Sequence, residues 1–369
     1  MPPKEFLKSL SLVQSSLPQV GPSSSRTLSL VLALFAVELT ACSPDPDKTD
    51  TIIQDCPPVE EARDDDTAEL DSGIEDTEGL DDTGAPEEPE PELRPYNLDE
   101  WGVEGVGANI ASELMAEDAS FDPSGIEADV DNLYLVSNVG GRFAQLSYDG
   151  VVRMNMTIEG DLEGLAKDPT RSGIFWVVRE DTKTIVEFDI NTGGYTGVDC
   201  TPNIETTQPN WGIEGLTVVP FGHQPSSWPE DELGYLVVGT QLNGSIAGYK
   251  LSDCADGAEI AAIANIASPV DDNAGLFYSS ETGILYALYD SHATLVEFTL
   301  DGEEIKRHTL PTGSGALIDE EGIVLTQYSC DTETHQGTAD AWFALDDGGM
   351  RKISGLPITC QDPRLYSTE

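Results

Sequence analysis

The chain has 369 residues and a formal net charge of −50 at pH 7. So large a negative charge argues against nucleic acid or an anionic membrane surface as a partner, because both would repel the protein. It is compatible with a cationic ligand or a divalent metal.

The N-terminus predicts export. An apolar run, LSLVLALFAV at 28–37, follows a basic segment and is too short to span a membrane as a mature helix. The run ends in LTAC at 39–42, which resembles the bacterial lipobox. That resemblance makes residues 1–41 a lipoprotein signal peptide and implies a lipid on the sulfur of Cys42. Because Ser43 follows the cysteine, it also implies an outer-membrane lipoprotein of the cell envelope, facing the periplasm or the surface. An ordinary secretory signal with a chance cysteine is the alternative.

Residues 42–94 predict an acidic disordered stalk. Asp and Glu far outnumber the basic residues there, and large apolar side chains are few. Such a segment buries too little apolar surface to offset its ordering entropy, and its charges repel one another. A calcium-binding acidic repeat is the alternative, although the Asp spacing does not match an EF-hand loop.

Residues 95–369 contain a short repeat that predicts the fold. A Gly beside an aliphatic residue opens each repeat, at Gly125, Gly164, Gly215, Gly275 and Gly315. In the fourth repeat, AGLFYSS, ILYALYD, TLVEFTL and EIKRHTL read as four successive strands separated by turns. Five such meanders predict an all-β fold, a β-propeller with five four-stranded blades. Residues 95–121 are expected to add a strand that closes the ring or to cap it; a sixth, partial blade is the alternative.

Two positions of each blade converge on the mouth of the central channel: the start of the innermost strand and the end of the second strand. The starts are Ser124, Glu163, Glu214, Ala274 and Ser314, and the ends are Asn138, Glu180, Gln241, Asp290 and either Gln327 or Tyr328. Carboxylate and amide oxygens are the ligands that Ca²⁺ prefers. We therefore predict a calcium site held by Glu163, Glu214 and Asp290. Further ligand-binding residues are predicted to be Asn138, Glu180, Gln241, Trp211 and His292. The alternative is that the glutamates accept backbone hydrogen bonds and lock neighbouring blades together.

Several of these segments are similar to the SdiA-regulated (YjiK-like) propeller family of exported bacterial proteins. The similarity is carried by LYLVSN and GGRFAQLSYDG, DLEGLA at 161–166, NWGIEGLTVVP, and AGLFY with LYALYD and LVEFTLDGE. It implies the propeller, an envelope location and an acid at Asp290. The family usually has a further Glu-Gly-Ile/Leu near its end, which Glu321-Gly322-Ile323 resembles. Alignment with the fourth repeat instead makes Glu320-Glu321-Gly322 a turn, so Glu321 is not included in the site.

The cysteines predict two disulfides, which export permits. Cys330 and Cys360 bracket the last repeat and are expected to pair, and Cys200 with Cys254 is the second expected pair. Cys56 is left over in the stalk. No CxxC spacing indicates zinc or redox chemistry.

The sequence favours a lipid-anchored propeller, expected to be a monomer, that binds a ligand or a protein partner with Ca²⁺ at the channel. The alternative is a metal-dependent hydrolase of the lactonase, phosphoesterase or phytase-like type, in which the metal polarises a carbonyl or phosphoryl oxygen. A purely structural envelope protein is a third class. Nucleophilic catalysis has little support, because there is no Gly-x-Ser-x-Gly elbow and only His292 is placed for a Ser-His-Asp arrangement.

Overall fold

The computed structural model describes residues 96–97, 109, 111–204, 212–268, 270–311, 319–331, 333–346 and 349–360. All of them belong to one compact unit, Thr83–Glu369. The predictions for the signal peptide, the stalk, Cys42, Cys56, Trp211 and Ser314 fall outside the described residues. No helix within the described ranges is both long and apolar enough to cross a membrane.

Five sheets make up the described part of the chain, and the predicted all-β propeller of five blades is confirmed. Before the first blade come β1 (Tyr96–Asn97) and the helix α1 (Ser112–Glu117). Blade 1 contains β2 (Pro123–Ala128), β3 (Asn132–Ser137), β4 (Arg142–Ser147) and β5 (Val152–Thr157). Blade 2 contains β6 (Leu162–Lys167), β7 (Ile174–Arg179), β8 (Thr184–Asp189) and β9 (Gly194–Pro202).

The remaining blades follow the same antiparallel order. Blade 3 contains β10 (Ile213–Val219), β11 (Tyr235–Thr240) and β12 (Ile246–Lys250), then, after β13 (Ala258–Ile260), its outer strand β14 (Ala264–Ala267). Blade 4 contains β15 (Asn273–Ser279), β16 (Ile284–Tyr289), β17 (Thr294–Phe298) and β18 (Glu304–Thr309). The described residues of blade 5 form β19 (Glu320–Asp331), β20 (Gln336–Leu345) and β21 (Gly349–Thr359). Short 3-10 turns occupy Glu180–Thr182, Leu251–Asp253 and Asp290–His292.

The hydrophobic core is divided among the five spaces between successive blades. Each blade presents alternate side chains to the blade on either side, and a separate apolar cluster fills each space. Between blades 4 and 5, for example, Tyr286 and Phe343 are fully buried. Because a fully buried side chain of this size contributes about 1.5–3 kcal/mol, inter-blade packing holds the ring together.

The five innermost strands contact one another in the closed order β2, β6, β10, β15, β19 and back to β2. A glycine on each strand faces the next strand at close range. A Cβ at Gly125 would lie 2.2 Å from the carbonyl oxygen of Glu163, and one at Gly322 would lie 2.4 Å from the carbonyl oxygen of Ser124. These contacts leave no room for a side chain, which explains the repeated glycine.

The fifth repeat begins later than we predicted. The glycine that contacts blade 1 is Gly322, and Glu320-Glu321-Gly322 opens the innermost strand β19. The predicted turn at these three residues is therefore wrong, and Gly315 lies outside the described residues. The physical reason is that β19 and β20 are longer than their counterparts in the other blades, so the spacing of the fourth repeat does not carry over.

Strands from outside a blade cover two of the outer edges. β1 pairs in parallel with β18 of blade 4, and β13 pairs in parallel with β9 of blade 2. After β1, the Oδ1 of Asn109 accepts the backbone N–H of Met350 in blade 5 (3.1 Å). Leu114 of α1 is buried in the cluster between blades 5 and 1. The segment before blade 1 thus contacts three successive blades across the point where the ring closes.

Both expected disulfides are present, Cys200–Cys254 and Cys330–Cys360, and these predictions are confirmed. The first joins blade 2 to the excursion that carries β13. The second joins the end of β19 to the residue that follows β21.

Candidate metal centre at the channel mouth

Equivalent positions of the five innermost strands form a ring at one end of the channel. The residues immediately before the packed glycines are Ser124, Glu163, Glu214, Ala274 and Glu321. Three of these five positions therefore carry a carboxylate.

The three glutamates come together. One carboxylate oxygen from each of Glu163, Glu214 and Glu321 lies within 4.8 Å of the other two. Glu163 is 5% exposed and Glu214 7% exposed, and the hydroxyl of Ser124 donates a hydrogen bond to Glu163. A cavity of about 10 Å³, enough for a single water or ion, lies between the strands, where Glu214 and Glu321 line it together with the packed glycines and aliphatic side chains. The ring therefore has the oxygen ligands of a site for one cation.

Burial and mutual repulsion disfavour the charged forms of these glutamates. Burial is the largest cause and raises the pKa of Glu163 to about 8 and that of Glu321 to about 9. The pKa of Glu214 is raised well above its usual value by burial and then by the charge of Glu163. Arg179, at the end of β7, forms its ion pair with Asp181 (3.2 Å) rather than with one of the three glutamates. Without a cation, the cluster must hold protons at neutral pH.

A second carboxylate group shares Glu163. One oxygen from each of Asp161, Glu163 and Glu180 lies within 4.8 Å of the others. Glu180 also accepts the backbone N–H of Gly212 in blade 3 (3.1 Å), so the inter-blade lock that we considered for the glutamates is formed by this residue. Burial raises the pKa values of Asp161 and Glu180 as well. Two further acidic side chains therefore lie beside the three glutamates.

Asp290 lies at the mouth but not in the three-glutamate cluster. Its Oδ1 accepts the backbone N–H of Glu320 (2.9 Å). Among the described residues, Glu321 rather than Asp290 therefore lies beside Glu163 and Glu214, because the EEG segment starts the innermost strand β19. The signal was present in the sequence: Glu321-Gly322-Ile323 repeats the pattern of Glu163-Gly164-Leu165 and Glu214-Gly215-Leu216.

The predicted strand ends are at the mouth in four blades. Asn138 and Gln241 follow β3 and β11, and each has a buried side-chain oxygen without a hydrogen-bond partner among the described residues. In blade 5 the corresponding residue is Asp346, because Leu345 pairs with Glu320. Gln327 and Tyr328, the predicted alternatives, lie instead in the middle of β19.

His292 lies outside the channel. Its imidazole is exposed, and Nε2 lies 2.9 Å from Oδ1 of Asp271, which is itself exposed. The pair is exposed and available to a ligand, and His292 is not part of either carboxylate cluster.

Comparison with known proteins adds structural neighbours. No protein-family model matches the chain, and no curated protein matches it. Hydrazine synthase of Kuenenia stuttgartiensis has a TM-score of 0.36 and 10% identity over 66% of this chain, which spans only 58% of that one. Virginiamycin B lyase of Staphylococcus aureus (TM-score 0.39, 12% identity) is matched over 64% of this chain and 96% of its own. Glutaminyl cyclase of Myxococcus xanthus (TM-score 0.41, 10% identity) is matched over 66% of this chain and 93% of its own. Similarities this distant say nothing of what the chain binds, and the resemblance to the SdiA-regulated family stays a prediction.

Proposed function

We propose that the chain is an exported, lipid-anchored propeller of the cell envelope whose channel mouth binds Ca²⁺ and presents it to a ligand or a protein partner. The observation that carries the proposal is the cluster of Glu163, Glu214 and Glu321, in which one carboxylate oxygen of each lies within 4.8 Å of the others. Burying three like charges so closely is unfavourable unless protons or a cation compensate them.

The chemistry of the cluster favours Ca²⁺ over softer metals. Ca²⁺ takes six to eight oxygen ligands, and carboxylates bind it through one or both oxygens. Three carboxylates supply up to six oxygens, and the hydroxyl of Ser124 lies beside Glu163. None of these groups is a sulfur or imidazole ligand, the kinds that favour zinc or copper.

The channel is narrow where the innermost strands meet. The cavity that Glu214 and Glu321 line together with the packed glycines and with aliphatic side chains is about 10 Å³ and admits only a water or an ion. A ligand or partner would therefore meet the cation from the mouth, where Asp161, Glu180 and Asp290 lie.

Calorimetric titration with Ca²⁺ tests the proposal. The full chain, purified in detergent and stripped of metal, is compared with Glu163→Gln/Glu214→Gln, which removes two charges but keeps the side-chain shape. We expect one Ca²⁺ to bind the wild-type chain and none to bind the double variant. Asp256→Asn, on an exposed turn, is a control for the loss of a surface charge and should bind as the wild type does.

No binding by a folded wild-type chain would contradict the metal site and leave a purely structural propeller. Equal binding by the wild-type chain and the double variant would place the metal elsewhere. The same titration with Mg²⁺ should show weaker binding, because that ion demands near-octahedral geometry and gives up its waters reluctantly.

A further inference from the structure

The strand that carries Glu214 is held by a side chain of the preceding blade. Glu180, which directly follows β7 of blade 2, accepts the backbone N–H of Gly212, two residues before Glu214 (3.1 Å). The contact is close, because a Cβ at Gly212 would lie 2.7 Å from the Cγ of Glu180. A side chain of one blade thus fixes the point at which the innermost strand of the next blade begins.

Blade 4 holds the strand that carries Glu321 in the same way. The Oδ1 of Asp290, which directly follows β16, accepts the backbone N–H of Glu320 (2.9 Å). Glu320 is the first residue of β19 and immediately precedes Glu321. Asp290 has the same position in blade 4 as Glu180 has in blade 2, since each is the first residue of the 3-10 turn after the second strand.

The contact from blade 3 to blade 4, whose ring position is Ala274, is made by the main chain. The N–H of Asp272, two residues before Ala274, is donated to the carbonyl oxygen of Gln241 (2.8 Å). Gln241 follows β11 and is the counterpart of Glu180 and Asp290, and its Oε1 has no hydrogen-bond partner among the described residues. In these three contacts, an acidic side chain holds the strand start where a glutamate follows, and the main chain holds it where an alanine follows.

The starts of β10 and β19 determine whether the cluster can hold one cation. Its carboxylate oxygens come from three different blades and lie within 4.8 Å of one another. Residues that orient metal ligands without touching the metal commonly alter its affinity, because the ligands must be kept in the geometry that the ion requires. A shift of either strand start would therefore move one glutamate away from the other two.

We propose that Glu180 and Asp290 are positioning residues of the channel site. Each holds the start of the next blade's innermost strand, so that Glu214 and Glu321 present their carboxylates to the cation. The proposal deepens the proposed function, on which it rests for the presence of that cation. Neither residue needs to contact the cation in this role.

Calcium titration of the full chain in detergent tests this role. Asp290→Ala and Glu180→Ala remove the acceptor, and we expect each to weaken Ca²⁺ binding roughly tenfold or more. Asp290→Asn and Glu180→Gln remove the charge but keep an oxygen that can accept the same N–H, so they should recover most of the affinity. Asp256→Ala, on an exposed turn, controls for the loss of an acidic side chain.

Double-variant cycles, titrated up to millimolar Ca²⁺, show whether each residue acts through its own glutamate. Asp290→Ala should have little further effect once Glu321→Gln is present, because that ligand is already altered. Glu180→Ala should depend on Glu214→Gln in the same way. The crossed pairs should instead be additive, whereas general damage to the fold would act alike in all four pairs.

Hydrogen exchange of the metal-free chain separates this proposal from the proposed function. Asp290→Ala should speed exchange in the peptide that contains Glu320, and Glu180→Ala in the peptide that contains Gly212, each without affecting the other. If the wild-type chain binds no Ca²⁺ but exchange follows this pattern, the metal site fails and the positioning of the strands stands.

Four results would each overturn the inference. They are unchanged exchange in both alanine variants, Ca²⁺ binding by both alanine variants as tight as that of the wild-type chain, an equal loss of affinity in the Asn and Gln variants, and equal coupling in matched and crossed pairs.

Discussion

The three channel glutamates should make the metal-free protein less stable as the pH rises. Their pKa values in the folded protein, about 8 for Glu163 and about 9 for Glu321, exceed the ordinary value of 4.5, so the folded state holds more protons than the unfolded state. The resulting stabilisation is complete below pH 4.5 and is lost as the pH rises through 8 and 9.

Glu321→Gln, which cannot ionise, should remove part of this loss. In a chelator, thermal unfolding between pH 5 and 9 should show a smaller fall in Tm for the variant. The difference in free energy of unfolding at pH 9 is expected to be on the order of a few kcal/mol. Added Ca²⁺ should offset the fall in the wild-type chain. If Glu321→Gln is less stable than wild type at pH 9, the residue stabilises the fold rather than a metal site.

Sequence reasoning located Glu163 and Glu214 because each precedes a glycine that opens a strand. It assigned Glu321 to a turn because residues 314–317, SGAL, and residues 321–323, EGI, both fit the opening pattern. Spacing cannot decide between two such glycines. The deciding fact is contact with the backbone of Ser124 in blade 1, which joins residues almost two hundred positions apart.

On the scale of the strand, Gly322→Ala should weaken the closure of the ring. The added Cβ would lie 2.4 Å from the carbonyl oxygen of Ser124 and 3.1 Å from the backbone nitrogen of Ile126. Backbone atoms cannot move aside as a flexible side chain can, so we expect a loss of about 1–3 kcal/mol in the free energy of unfolding. Chemical denaturation measures it.

Gly194→Ala is the matched control, because nothing lies within 4 Å of a Cβ added at that strand residue. It should leave the denaturation midpoint close to that of the wild-type chain. Equal midpoints for the two variants would show that blades 5 and 1 do not pack as closely as described.

The antiparallel strands of blades 1 to 4 were predictable because most are short runs of apolar, β-branched and aromatic residues that end at turn signals. The parallel additions β1 and β13 were not. Each contains only two or three residues and pairs with a strand far away in the chain, so neither leaves a local periodicity. The expected pair Cys200–Cys254 was the one sign that the excursion between β12 and β14 returns to blade 2.

At the level of the whole molecule, the number of blades followed from counting repeats, but the way in which the ring closes did not. Closure depends on contacts between the first and last blades and on Asn109 and α1, for which the sequence has no repeat to compare.

The proposed anchor belongs to this scale as well. We expect the mature chain, isolated from membranes, to begin at Cys42 and to carry a mass increment that corresponds to diacylglycerol with or without a further acyl chain. Intact-mass spectrometry measures it, and Cys42→Ser should lack the increment. An unmodified chain that starts elsewhere would indicate an ordinary secretory signal. Two or more acyl chains suffice for stable attachment, since each buried CH₂ contributes about 0.8 kcal/mol.

The pairing of β1 with β18 has a mechanical consequence. The outermost strand of blade 4 is the first part of the propeller that the chain contacts within the described residues, and it lies three strands away from β15 at the channel. Tension arriving along the backbone from residues before Tyr96 would load this outer edge first. The inner strands that hold the glutamates would be shielded from such a pull, so force transmitted through the proposed anchor would leave the geometry of the site unchanged.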